Sequence, residues 1–303
     1  MIKSLNKELL VLFFAAFLFA CSGGGGSKDQ AQLDEEMEGV SFEEVDKETQ
    51  EKVRTIIYSI PSPIQIASLI KNSGANYTGE ILNSPSNVEN YYSTNSSIAL
   101  NLGVYGADLG YCCMYDKTQD AISYLTATKK LSDALGILGA FEVATMERFE
   151  ENLDNKDSLI HIVSESFRMS DTYLKENERN SLGALVLTGG WLEGLYLSAK
   201  IVENHPLQPI ITRIGEQKKS LGNLILLLKQ FEAEKQIPDL IINLESLQKE
   251  FDNVEIKETY APPTTDPNTG VTTINSKSEV IISKESLESI IKKIESIRND
   301  IIS

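Results

Sequence analysis

Along most of the chain, apolar residues recur every three or four positions, the spacing of a helix that buries one face. The runs are punctuated by helix start and stop signals. Ser41-Phe-Glu-Glu44 has the form of a capping box and opens a helix carrying Val45, Val53, Ile56, Ile57 and Ile60, which Pro61 ends. Ser62-Pro63 sets an N-cap before a first-turn proline, Gln65 completes a second box, and Gly74 stands where a left-handed residue closes the helix. Residues 75–94, rich in Asn, Ser and Tyr, read as an irregular loop. Further helices are expected over about 96–115, 117–135, 138–153, 157–175, 180–203, 208–232 and 238–251.

Between 253 and 283 the period shortens to that of strands. Val254–Tyr260 and Val271–Ile282, joined by Pro262-Pro263 and by Asp266–Gly270, predict a β-hairpin. Asp266-Pro-Asn268 resembles the start of a calcium loop, but Gly270 occupies the third acidic position and the distal Glu is missing, so it reads as a turn. A last helix is expected over 284–302. The predicted architecture is all-α, a multi-helix bundle of about ten helices with one small β-hairpin near the C-terminus.

The C-terminal helices carry heptad-like seams. Leu287, Ile290, Ile294, Ile297 and Ile301 form one, and Leu240, Leu244, Leu247 and Phe251 a second. Ile210, Ile214, Leu221, Leu224, Leu228 and Phe231 form a third, with polar Gln217 in the vacant slot. Seams this short predict packing within one chain at crossing angles near 20°.

Two segments stand apart because glycine is repeated inside them. One runs Leu102-Gly103-Val-Tyr105-Gly106-Ala-Asp108-Leu-Gly110-Tyr111, the other Leu182-Gly183 through Gly189-Gly190-Trp191-Leu-Glu193-Gly194-Leu-Tyr196. Their similar layout suggests halves of a duplicated helical hairpin. A helical glycine costs about 1 kcal/mol relative to alanine, so several together need a reason. Close approach of the two helices is one; room for a ligand is the other. Each segment carries a single charge, Asp108 and Glu193, and Arg148 and Arg168 are available as counter-charges. The sharper reading gathers Tyr105, Asp108, Tyr111, Trp191, Glu193 and Tyr196 around one ligand pocket, whose aromatic rings and acids suit a sugar or a cationic small molecule.

The first twenty residues have a short basic start and an apolar run from Leu9 to Ala20, too short to cross a bilayer and typical of a removable export signal. Leu18-Phe19-Ala20-Cys21 resembles the lipobox of bacterial lipoproteins, with Phe19 bulkier than the residue usual there. The resemblance implies cleavage before Cys21, diacylation of its thiol and acylation of the new amino terminus. Several acyl chains anchor a protein stably where one does not. The domain plan is therefore a signal over 1–20, a lipidated Cys21 with an acidic, glycine-led tether over 21–40, and a helical body over 41–303.

The full chain carries a net charge of −16, and loss of residues 1–20, with Lys3, Lys7 and Glu8, leaves −17. That excludes nucleic acid as a partner. Beyond Cys21 the cysteines are the adjacent Cys112 and Cys113, too close for a relaxed disulfide and read as small buried hydrophobes. His161 lies in the apolar Leu159–Val163 and reads as a hydrogen-bonded core residue, and His205 precedes a loop proline. There is no metal-ligand cluster, phosphate loop, dinucleotide fingerprint or nucleophile elbow, so no metal, no cofactor and no catalytic residue is assigned.

Asp157-Ser158-Leu159 resembles the O-glycosylation site of exported Bacteroidota proteins, and Asp157-Ser158 also suits a helix cap. Ala99–Asp108 and Gly189–Tyr196 make the body similar to uncharacterised all-helical lipoproteins of that phylum. That resemblance implies an outer-membrane protein facing the periplasm or the cell surface, with no stated activity. The expected function is non-catalytic: a lipid-anchored envelope protein that binds or scaffolds. The alternatives are a glycan hydrolase using Asp108 and Glu193, or a subunit of an envelope complex that docks through the C-terminal hairpin and helix. The partners expected are the membrane, through Cys21, and an envelope protein or a small-molecule or glycan ligand.

Overall fold

The computed structural model describes residues 60–137, 143–266, 269–273 and 277–303. The leader, Cys21, the tether and the helix expected from Ser41 to residue 59 lie outside the described residues. The fold is the all-α bundle with a small antiparallel β element that the periodicities predict. Its helices are α1 (Pro63–Asn72), α2 (Asn95–Met114), α3 (Thr118–Ala134), α4 (Val143–Glu151), α5 (Lys156–Glu176), α6 (Asn180–Asn204), α7 (Gln208–Lys229), α8 (Ile237–Glu250) and α9 (Lys284–Ile302).

Local chemistry sets their ends. Ser62 Oγ accepts from Gln65 N at 3.2 Å while Gln65 Oε1 accepts from Ser62 N at 3.0 Å, so α1 opens on a complete capping box. Thr94 caps α2 and Ser283 caps α9. Asn155 caps α5 by accepting from Ser158 N, which corrects the assignment of that role to Asp157-Ser158. Gly74 and Gly136 end α1 and α3 with φ of +84° and +67°, backbone that side chains resist.

The chain divides into two compact units. The larger, Val40–Pro262 with Asn275–Ser303, contains every helix above and the ribbon of β1 (Glu255–Thr259) with β4 (Lys277–Ile281). These two strands are antiparallel, with Ile256 opposite Val280. Val280 and Val254 pack onto Gly215 of α7, where an added β-carbon would lie 2.3 Å from Val280 Cγ1. The described part of the other unit is the short ribbon of β2 (Thr264–Thr265) with β3 (Thr272–Thr273).

The larger unit is organised on α2 and α6, which make its most extensive helix–helix contact. The reason is the glycines. A β-carbon at Gly103 would stand 2.1 Å from the Val186 carbonyl oxygen, and one at Gly189 would stand 2.0 Å from that of Leu100. The two backbones therefore touch, which only hydrogen in place of a side chain permits. Close packing is the reason for these glycines that the sequence left open against ligand space. By length and hydropathy α6 could cross a membrane, yet 83% of its most apolar window is buried inside the protein.

Two sequence readings change. Residues 75–94 are not irregular throughout: they hold 3-10 turns at Gly79–Ile81 and Pro85–Tyr91, and they bury Asn83, Val88 and Tyr91. His161 is exposed, because α5 buries Leu159, Ile162 and Val163 and turns position 161 outward. Cys112 and Cys113 are free and buried as expected, and burial pushes the Cys113 thiol up to about 12, out of its reactive range.

The crossing predicts opposite outcomes for neighbouring glycines. Gly189→Ala should destabilise the protein by about 3 kcal/mol, since helix backbone must move. A β-carbon at Gly183 would meet Asp171 Oδ1 at an ordinary 3.5 Å, so Gly183→Ala should be neutral or stabilise by up to about 1 kcal/mol through helix propensity. Urea unfolding of both variants checks the pair.

Candidate functional site

Each of the two glycine-bearing helices carries a carboxylate into the core. Asp108 of α2 and Glu193 of α6 are both 0% exposed. Their carboxyls lie within hydrogen-bonding reach of each other. The counter-charge is neither Arg148, which pairs with Glu165 on the surface, nor Arg168. It is Arg298 of α9, whose Nε and a terminal nitrogen each donate to Glu193 at 3.0 Å, a bidentate clamp. The guanidinium also lies 4.4 Å from the centre of the Tyr196 ring.

Burial pushes both carboxyls toward the protonated form. At Glu193 the clamp of Arg298 opposes that push directly, whereas at Asp108 the charge of Glu193 adds to it. The shared proton therefore resides on Asp108, which donates to the Glu193 carboxylate. Asp108 Oδ2 accepts from Asn83 N at 3.1 Å, and among the described residues no donor faces Oδ1. Burial alone would loosen the Arg298 proton, but Glu193 more than offsets this and the guanidinium stays charged. The cluster is thus a neutral acid, an anion and a cation with no net charge, the form in which ionisable groups tolerate a core.

The aromatic candidates are also in the core, each with its own neighbours. Tyr105 donates to Ser84 O at 2.7 Å. Tyr111 accepts from Thr78 N and stacks on Tyr77 with ring centres 5.3 Å apart. Trp191 Nε1 donates to Gln217 Oε1 at 2.9 Å, so the polar residue in the α7 seam serves the only tryptophan. Of the six residues expected around one pocket, Asp108, Glu193 and Tyr196 do meet at Arg298, but none of the six lines either cavity described below.

One cavity lies on another side of the same two helices. It holds about 460 Å³ between the start of α1 and helices α2, α5, α6 and α7. Gly103, Gly106 and Gly190 are part of its lining, with Phe167 packed over Gly106, and Val163, Val186, Leu187, Leu227 and Phe231 add apolar walls. Its charged groups are the ion pair of Lys175 with Asp171, 2.5 Å apart, beside half-buried Asn180 and exposed Gln230. The hydroxyls of Ser164 and Ser170 already donate to the carbonyls of Ile160 and Ser166. Among the described residues, the buried side-chain oxygens that accept from no donor, Asn101 Oδ1 and Asp108 Oδ1, both lie elsewhere. A larger hollow of about 840 Å³ beside β4 and α9 is lined by Glu203, Lys284, Glu288 and Lys292 as well as apolar groups.

Among the described residues no cluster of His, Cys, Asp or Glu could hold a metal ion. Comparison with family models, with curated proteins and with solved structures gave no match.

The proton assignment has a pH signature. An acid whose folded pKa is raised binds its proton more tightly in the folded state. Wild-type stability therefore falls as pH rises from the ordinary aspartate range near 3.8 toward the raised value, by about 1.4 kcal/mol per pH unit within that window. Asp108→Asn keeps a donor toward Glu193 and an acceptor for Asn83, so it should cost little near pH 5 and become progressively more favourable toward pH 8. Arg298→Met, which strands Glu193, should cost about 3–5 kcal/mol. Chemical denaturation at several pH values measures both.

Proposed function

We propose that this protein is a lipid-anchored, non-catalytic binding protein of the bacterial envelope, and that its helical body holds a small apolar ligand in the cavity between α1, α2, α5, α6 and α7. The observation that carries the binding half is the cavity itself. At about 460 Å³ it falls within the size range of ligand pockets, and its walls are mostly hydrocarbon with few polar groups. Water inside finds few partners there, so an apolar guest is favoured over solvent.

The anchoring half rests on the sequence, on the leader that ends at Cys21 and the glycine-led tether after it. A glycan hydrolase working through Asp108 and Glu193 has no support in their surroundings. Both carboxyls are fully buried, and one is already clamped by Arg298. A catalytic acid needs to reach a substrate oxygen within about 3 Å.

Two measurements test the halves separately. Cys21→Ser should move the protein from the membrane to the soluble fraction and remove the acyl mass seen by intact-protein mass spectrometry. A neutral solvatochromic dye should shift to the blue when mixed with the wild-type body, and Val186→Trp, which fills the cavity from α6, should abolish the shift while the protein remains folded by circular dichroism.

A further inference from the structure

We propose that the guest of this cavity is a single-chain lipid with a head of no net charge, its hydrocarbon against the apolar side chains of α5, α6 and α7 and its head beside Asp171 and Lys175. The inference rests on the binding reading above and adds the chemical class of the ligand.

The hydrocarbon part follows from the walls. Val163, Leu174, Val186, Leu187 and Leu227 present hydrocarbon, and the backbone N–H and C=O groups of α2 and α6 between them are spent within the helices. A sugar would leave its hydroxyls without partners against Val163, Leu174, Val186, Leu187 and Leu227, and each such loss is costly. The volume admits on the order of 15 water-sized groups at about 30 Å³ each, the bulk of one chain and not of two.

The head part follows from where charge lies. The charged lining residues are Asp171 and Lys175, one turn apart on α5 and already paired. An anionic head would have to displace Asp171 from Lys175, on a protein whose net charge is −16. A cationic head would have to displace Lys175 from Asp171. An uncharged or zwitterionic head needs neither exchange, and Asn180 and Gln230 of the same lining offer both donors and acceptors.

Binding of 1-monoacylglycerols and of fatty acids, with matched chains from eight to eighteen carbons, to the full chain by native mass spectrometry and fluorescent-probe displacement tests the assignment. Monoacylglycerol affinity should rise up to about fourfold per methylene and level off by roughly sixteen carbons as the cavity fills. The matched fatty acid should bind at least about tenfold more weakly at low salt. Asp171→Asn, which frees Lys175, should reverse that preference, and Val186→Trp should remove binding of both. Fatty acids that bind as tightly as monoacylglycerols would overturn the head assignment and leave the cavity reading standing. Failure of both series to bind wild type, or equal binding by Val186→Trp, would overturn the cavity reading as well.

Discussion

Contact between the backbones of α2 and α6 is the constraint from which the rest of the larger unit follows. A side chain at Gly103 or Gly189 would overlap a main-chain carbonyl of the other helix, so the crossing exists only while both remain glycine. Glycine weakens each helix by about 1 kcal/mol per residue, and the tertiary contact must exceed that loss. Apolar residues on nearly every side of both helices supply the excess. Bringing two such helices together has two consequences. It carries Asp108 and Glu193, a turn or so beyond the crossing, into one dry space. It also leaves a cavity beside the crossing, between these two helices and α1, α5 and α7.

The acid pair shows how a core accommodates charge that it cannot exclude. Two facing carboxylates would repel, and a lone carboxylate would be poorly solvated, so one proton and one guanidinium are both required. The guanidinium comes from the last helix, and that helix is held in several ways at once. Asn101 of α2 donates to Ile301 O at 3.1 Å, and Tyr91 donates to Ile302 O at 3.2 Å. The final carbonyls of a helix have no partner within it, and here core side chains supply them. Asn83 joins the two systems, its backbone bound to Asp108 and its side chain to Tyr91. Such a network is rigid because every member is held by another, which suits positioning and leaves no group free to exchange protons with a substrate.

Much of this was legible in the sequence. The helices, their caps at Ser62 and the pairing of Val254–Tyr260 with Val271–Ile282 follow from period and punctuation, which are local properties. The paired acids were legible as a suspicion, because a single charge in an apolar helix demands an explanation. Arg298 was not chosen as their partner, although Leu287, Ile291, Ile294, Arg298 and Ile301 step by four, three, four, three and so put a charge inside an apolar stripe. Among the many charges of α9, that one departure from pattern is easily lost. The 75–94 segment escaped for a different reason. Its Asn and Tyr groups are ordered by partners on α2 and α9 far along the chain, which no local rule reports. The cavity escaped too, since it is the space left between five elements and belongs to none of them.

Glu193 reconciles the two environments that an exported, lipid-anchored chain would meet. α6 is long and apolar enough to be taken for a membrane span, and an anchored protein that lost this helix to lipid could not fold. A carboxylate near the middle of the helix raises the cost of insertion by about 2.5–3.5 kcal/mol, a penalty that acts from the moment α6 is made. The same charge would burden the folded core equally if it stayed alone. Its answer, Arg298, lies 105 residues further on, so the two effects are separated along the chain: the charge opposes insertion first and is neutralised only when α9 docks. Replacing Glu193 by an apolar residue would relieve the core of an ion pair that costs about as much to desolvate as it returns. It would also remove the feature that distinguishes this helix from a spanning segment, so stability of the finished fold is not the only pressure that can keep a buried charge in place.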